Sequence, residues 1–191
     1  MVGLDPAAQV RSTLERFGGI TPAHLVPWDP AGFDAALLSG SLAGWTFSNV
    51  CLQLGVDSWA LQTLAVSNCS VVFVGNNFHL TVTNDLLVDA GGALGIGAYW
   101  TNFSGTNFTL SCGNLLLTNG GTLSVYGGAT NGSANDYGAS VTVANDLAVG
   151  PRSWIYPYSH ETDGGSALFR AQTVAIATNA GFNANSKGFA T

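Results

Sequence analysis

The side chains best suited to recognising a ligand fall in the second half of the chain. Trp100 stands in the stretch AYWTNFSGTNF beside Tyr99 and Phe103; Tyr126 and Tyr137 follow, then Trp154, Tyr156 and Tyr158, and directly after them His160, Glu161 and Asp163. Aromatic planes next to imidazole, amide and carboxylate groups suit a sugar. The ring face stacks on the apolar C–H patch of the pyranose and the polar groups take its hydroxyls. The same rings serve equally well to fasten loops to a core, because Tyr and Trp bury large areas. The candidate ligand-binding set is therefore Trp100, Tyr126, Tyr156, Tyr158, His160, Glu161 and Asp163.

Catalysis asks for more than this set shows. Glycoside cleavage needs two carboxylates on either side of the scissile bond, and Glu161 and Asp163, two residues apart in a loop, reveal no division of roles. A calcium-assisted lyase would need clustered carboxylates and a base. Asp85, Asp89, Asp146 and Asp163 could supply oxygens to calcium, with Arg152 or Arg170 as base. Asp85 and Asp146, however, share a repeat position with Asn114 and Thr173, which points to a polar corner. His24 and His79 have no partner that suggests a metal site or a triad, and no phosphate loop or nucleophile elbow occurs. No catalytic residue, metal ligand or cofactor is assigned, and whether the protein is an enzyme stays open. The three cysteines, Cys51, Cys69 and Cys112, are too few for a disulfide framework and lack zinc-knuckle spacing. Cys112, alternating with Leu110, is expected in a core.

Composition narrows the classes further. The chain has 191 residues, 25 of them Gly; 8% are charged and 47% hydrophobic, with a net charge of −6. That is too apolar for disorder and too acidic for nucleic acid, because the five basic residues form no footprint for phosphates. An anionic membrane surface is disfavoured for the same reason. No apolar run is long enough to span a membrane, and the first residues lack a signal-peptide layout. The sequons at Asn68, Asn102, Asn107 and Asn131 are about as many as this Ser- and Thr-rich composition gives by chance.

Two kinds of element must position these residues. In the first 45, Asp5-Pro6 and Asp29-Pro30 each read as an N-cap with Pro in the first turn. Ala7, Val10, Leu14 and Phe17, and then Phe33, Ala36 and Leu37, follow at helical spacing, with Gly18-Gly19 and Gly40 as terminators. From about Trp45 the period becomes two. Five segments then align: TLAVSNCSVVFVG (63–75), DLLVDAGGALGIG (85–97), NLLLTNGGTLSVY (114–126), DLAVGPRSWIYPY (146–158) and TVAIATNAGFNAN (173–185). Each opens on a polar residue, continues with an alternating apolar pair, passes through small or turn-forming residues and ends in a second alternating strand. A further short strand precedes each unit, as in Phe78-Leu80-Val82, so that one repeat holds three short strands separated by corners. The units are 22, 29, 32 and 27 residues apart, as in a solenoid coil of constant core with one variable loop. The alignment predicts an all-β, right-handed, single-stranded parallel β-helix over 46–191, in preference to an antiparallel sandwich, with a short helical segment over 1–45 as cap or linker. Phe33, Leu37 and Leu38 would cover the first coil. GFNANSKGFAT stops within another turn-and-strand pattern, so a C-terminal truncation is expected, with further repeats following.

The pattern LxVxNDLxVxxGGxLxVxG, in LTVTNDLLVDAGGALGIG (80–97), LSCGNLLLTNGGTLSVYG (110–127) and less closely VTVANDLAVGPRSWIYPY (141–158), resembles the β-helical repeats of bacterial autotransporter passengers and related giant surface proteins. The resemblance covers about residues 60–185. It implies a secreted or cell-surface molecule used for adhesion or display, with glycans or neighbouring surface proteins as partners, and it carries no catalytic residue across. The helical start and the Pro-Arg-Ser-Trp corner at 151–154 depart from it. The expected function is a non-catalytic extracellular scaffold or adhesin domain; the alternative is a polysaccharide-active lyase or glycoside hydrolase, or its carbohydrate-binding module.

Overall fold

The computed structural model describes residues 25–26, 45–48, 51–54, 58–73, 78–97, 108–130, 137–162 and 164–188. They form a parallel β-solenoid, and among them there is no helix. The helices expected before residue 45, with Phe33, Leu37 and Leu38, lie outside the described residues. Between them Leu25–Val26 forms strand β1, which pairs antiparallel with β2 (Trp45–Ser48). Every other pairing is parallel, which excludes the antiparallel sandwich.

The chain winds between two sheets. After β3 (Cys51–Leu54) comes a coil made of β4 (Ser58–Leu61), β5 (Leu64–Ser67) and β6 (Ser70–Phe73). Three central turns follow: β7 (His79–Asp89) with β8 (Ala93–Ile96), β9 (Phe108–Leu117) with β10 (Thr122–Tyr126), and β11 (Ala139–Val149) with β12 (Trp154–Tyr158). The stack ends on β13 (Ala167–Ile176) and β14 (Gly181–Phe182). One sheet runs β1-β2-β5-β7-β9-β11-β13, with β4 also paired to β7; the other runs β14-β12-β10-β8-β6-β3.

The repeat register holds throughout. Leu64, Leu86, Leu115, Leu147 and Val174 are successive Cα partners, as are Val71, Leu94, Leu123, Ile155 and Phe182. The side-chain period of two then puts Val66, Val88, Leu117 and Val149 on the same inner face, and all are buried. Trp59, Leu80, Leu110 and Val141 form a third buried ladder on the preceding arm. No coil could hide these side chains alone. Stacked at about 4.8 Å per rung, each covers the next, and each fully buried Leu or Val contributes about 1.5–3 kcal/mol.

The expectation of three separate strands per coil needs one refinement. In the central turns the first two run together as one long strand, bent where the register shifts between Val82 and Asp85 and between Val143 and Asp146. A bulge of this kind bends a strand without ending its ladder, so a corner costs one irregularity rather than a loop. In the earlier coil Gln62 and Thr63 still separate β4 from β5.

The tight corner into the second sheet is a four-residue turn. Gly92 donates its N–H to Asp89 O at 2.8 Å and Gly121 to Thr118 O at 2.8 Å. Both central residues are left-handed, Ala90 and Gly91 at φ 48° and 72°, Asn119 and Gly120 at 48° and 82°, the φ pattern of a type I′ turn. A Cβ on Gly121 would lie 2.2 Å from Val88 O of the adjacent rung, so this turn residue must be Gly. Pro151 cannot take positive φ. That corner instead places only Arg152 at φ 63° and keeps the closing bond, Ser153 N–H to Gly150 O at 3.2 Å. The bulky corner departs in composition while keeping the length of the reversal, and β12 stays in register.

Leu115 is fully buried in the middle of its ladder. Leu115→Asp would place a carboxylate there without a partner, a change of the class that costs about 4 kcal/mol or more. Circular dichroism should show the variant unfolded or melting far below the parent; an unchanged melt would remove Leu115 from the core.

Candidate functional site

Apart from the single residue at each bulge, the differences in spacing between rungs fall at one edge of the stack. Within the central turns, from Leu86 to Ile96 and from Leu115 to Val125, the coil has constant length, whereas the connections 97–107, 127–138 and 159–166 vary. All three leave the third strand of one coil and return to the long strand of the next. They are the variable loops expected from the repeat, and the strands hold their bases in fixed positions.

Glycines close those bases. The 127–138 connection is pinched where Gly128 N–H donates to Gly138 O at 2.7 Å, and the next where His160 N–H donates to Gly165 O at 2.6 Å. The two necks touch: a Cβ on Gly165 would lie 2.2 Å from Gly128 O, and one on Gly138 would lie 2.3 Å from the same oxygen. Side chains are excluded because backbone meets backbone. Sequence reasoning missed this neck. Its signal lay in Gly127-Gly128, Gly138 and Gly164-Gly165, hidden among so many other glycines.

The aromatic strip lies beside the neck on the outer face of the second sheet. Leu123 pairs with Ile155, Val125 with Pro157 and Tyr126 with Tyr158. Ile155 is fully buried, and Tyr156 and Tyr158 are half-buried. The strand has therefore not slipped by one residue at the Pro-Arg corner; a slip would have turned both tyrosines into the core. Tyr126 and Tyr158 stack across adjacent rungs with centroids 4.4 Å apart and planes at 24°. Lys187, which the sequence did not single out, sits with Nζ 4.5 Å from the Tyr158 centroid and 5.8 Å from that of Tyr156. Its carbonyl accepts the N–H of Ser159 at 2.8 Å, so the segment after β14 continues the stack and brings the ammonium over the rings. The cation–π attraction is worth about 0.5–1 kcal/mol at an exposed site.

The rest of the candidate set is dispersed. His160 is half-buried at the neck, with Nδ1 3.3 Å from Thr162 Oγ1, and Glu161 is exposed. Trp100 and Asp163 lie outside the described residues. Tyr137 is 43% exposed. The structure thus joins Tyr126 and Tyr158, with Tyr156 beside them on the same strand face.

The acidic residues at the corners are structural partners of one another's rungs. Asp85 pairs with Asn114 and Asp146 with Thr173, the shared position expected from the repeat. Asn114 Nδ2 donates to Asp85 Oδ1 at 2.7 Å, and Asn114 Oδ1 accepts from the backbone N–H of Asp146 at 3.3 Å. Asp89 Oδ1 accepts from Thr118 Oγ1 at 2.7 Å and Asn119 Nδ2 at 2.8 Å. These bonds, with that of Ala90 N–H, hold its carboxyl below the usual range. Among the described residues no group of three or more His, Cys, Asp or Glu is placed to hold a metal ion. Cys112 is buried, and burial pushes its thiol up to about 12. That is the opposite of an activated nucleophile and agrees with its expected place in the core. Comparison of the chain with protein-family models, curated proteins and solved structures finds no match.

Asp89 gives a pH signature. Its carboxyl is lowered in the folded state, so the stability it contributes is present above the unfolded carboxyl's pKa and is lost as pH falls through the folded one. Asp89→Asn should therefore melt below the parent at neutral pH, with the gap closing on acidification below the usual carboxylate range. A gap that stays constant with pH would mean that ionisation of Asp89 contributes nothing.

Proposed function

We propose that this chain is a non-catalytic scaffold of the extracellular or cell-surface adhesin type, whose solenoid displays variable loops along one edge. The observation that carries this reading is the division of labour along the repeat. Aligned positions build ladders, corners or rung-to-rung polar bonds, while variation in length, apart from the single residue at each bulge, is gathered in the connections 97–107, 127–138 and 159–166. Such an arrangement fixes the loop bases relative to one another and leaves their sequences free, as a display surface requires. The repeat pattern's resemblance to autotransporter passengers supports a secreted or surface setting, with glycans or neighbouring surface proteins as partners.

A second reading, a glycan-binding or polysaccharide-active domain, is favoured by one observation, the outward Tyr126–Tyr158 stack with Tyr156 beside it. Lys187 already lies over Tyr158, so a sugar would have to displace it or bind along the edge of the strip. Fold does not decide between the readings; the site does.

Incubation with acidic and neutral polysaccharides, with and without calcium, separates them. The scaffold reading predicts no sustained product release; turnover would overturn it. Titration calorimetry with the same glycans tests the strip. Weak binding that is lost in Tyr158→Ala, with the melting temperature little changed, would make the strip a ligand surface. No affinity in the parent, together with a large fall in the variant's melting temperature, would make these rings packing residues.

A further inference from the structure

Two phenol rings from different coils are held face to face in this chain. Tyr126 closes β10 and Tyr158 closes β12, and the two are Cα partners one rung apart. Their centroids stand 4.4 Å apart with the planes at 24°. The backbone fixes the pair as well. The N–H of Gly127, next after Tyr126, donates to Tyr158 O at 2.8 Å, and the N–H of Ser159 donates to Lys187 O at 2.8 Å. On the far side of Tyr126 stands Gly97, where a Cβ would lie 3.3 Å from Tyr126 Cβ. Gly97 thus adds no side chain to the column on that side.

Neither of the other two described tyrosines shares this geometry. Tyr156 lies two residues from Tyr158 on the same strand, and its Cα partner in β10 is Ser124. Tyr137 belongs to the 127–138 connection and is 43% exposed. A phenol stacked on a second phenol has one distinctive chemistry, oxidative coupling. Loss of an electron and the hydroxyl proton gives a tyrosyl radical, whose spin lies partly on the ring carbons ortho to the oxygen. Two such radicals in contact join through those carbons.

We propose that Tyr126 and Tyr158 are a modification site, joined by oxidation into an intramolecular dityrosine that staples two rungs of the solenoid. The oxidant is hydrogen peroxide acting through a peroxidase. Each phenol gives up one electron and one proton, and the peroxide takes both pairs and leaves as two waters. The ortho carbons form the C–C bond, and the ring hydrogens they carried return to the phenolic oxygens as the rings regain aromaticity. The strands stay one rung apart, about 4.8 Å, so closure asks only for rotation of the side chains. Among the described residues no disulfide ties rung to rung. A bond from Tyr126 to Tyr158 closes a loop that holds the 127–138 connection and β11, and a cross-link of that span stabilises by restricting the unfolded chain. This chemistry asks nothing of a ligand and stands apart from the glycan reading of the same rings.

Treatment of the dilute full chain with a haem peroxidase and hydrogen peroxide tests this, read by dityrosine fluorescence, tryptic mass spectrometry and a thermal melt. Arg152 lies between the two tyrosines, so cleavage there separates them unless they are linked. The expected product is a monomer whose peptides on either side of Arg152 stay joined through Tyr126 and Tyr158, two hydrogen atoms lighter than their sum. Its yield should be independent of protein concentration, lost in Tyr126→Phe and in Tyr158→Phe, and kept in Tyr156→Phe. The linked monomer should melt above the untreated chain. Fluorescence confined to cross-linked dimers, a link through other tyrosines, or no link at all would overturn the proposal, as would a linked monomer that melts no higher. If a Phe variant fails to fold, the link mapped in the parent decides. The parent oxidised in urea should lose the preference for this pair, and a preference that survives unfolding contradicts the geometric argument.

Discussion

Rung-on-rung backbone pairing at fixed register is the constraint from which the other features follow. A coil of three short strands has a few inward side chains and no second layer to cover them; its core exists only in contact with its neighbours. When Leu86 pairs with Leu115 and Leu115 with Leu147, the hydrogen bonds that satisfy each strand's backbone also lay one aliphatic side chain upon the next. Polar satisfaction and apolar burial are then the same event. A one-residue slip would turn a whole strand's aliphatic set into solvent, which is why the register survives connections of very different length.

The corners show what that constraint permits and forbids. The turn must reverse in a fixed number of residues, because both flanking strands are locked to the rungs above and below. Asn119-Gly120 does so with two left-handed residues, and Pro151-Arg152 with one. Both leave the next strand in step, Leu123 opposite Ile155. The polar bonds from Asn114 to Asp85 and from Thr118 and Asn119 to Asp89 add attraction between rungs where the inner ladder is absent. Their carboxylates are spent on stacking. The connections at the loop edge differ in length without disturbing the register of the strands they join.

The legibility of the chain follows the same division. The ladders were readable because period-two alternation at a repeated offset is a strong signal. It located Leu64, Leu86, Leu115, Leu147 and Val174 as partners, set Tyr126 opposite Tyr158, and placed Cys112 inside. The fusion of two expected strands into β7, β9 and β11 was not readable, since a bend that preserves pairing leaves the alternation nearly intact. Lys187 was missed because its position over Tyr158 depends on how residues 183–187 lie against β12, beyond the fifth aligned unit. The glycine neck was missed for a different reason. Contact between Gly128, Gly138 and Gly165 is made by backbones from separate connections, and no side-chain pattern announces it. Of the proposed ligand set, the tyrosines on β10 and β12 were placed by register, whereas Trp100 and Asp163 belong to insertions for which the repeat supplies no template.

The central claim is that distance across the stack is counted in rungs, independent of separation along the chain. Outward positions Ala60, Thr81, Ser111, Thr142 and Arg170 stand in one column. Spin labels attached to cysteines substituted in pairs, in a background lacking the native cysteines, read that column directly. The account predicts backbone separations of about 10 Å for positions 81 and 142, two rungs apart, and about 19 Å for positions 60 and 170, four rungs apart. Distances that fail to grow in proportion to rung number, or that place 81 and 142 on different faces, would contradict the parallel ladder.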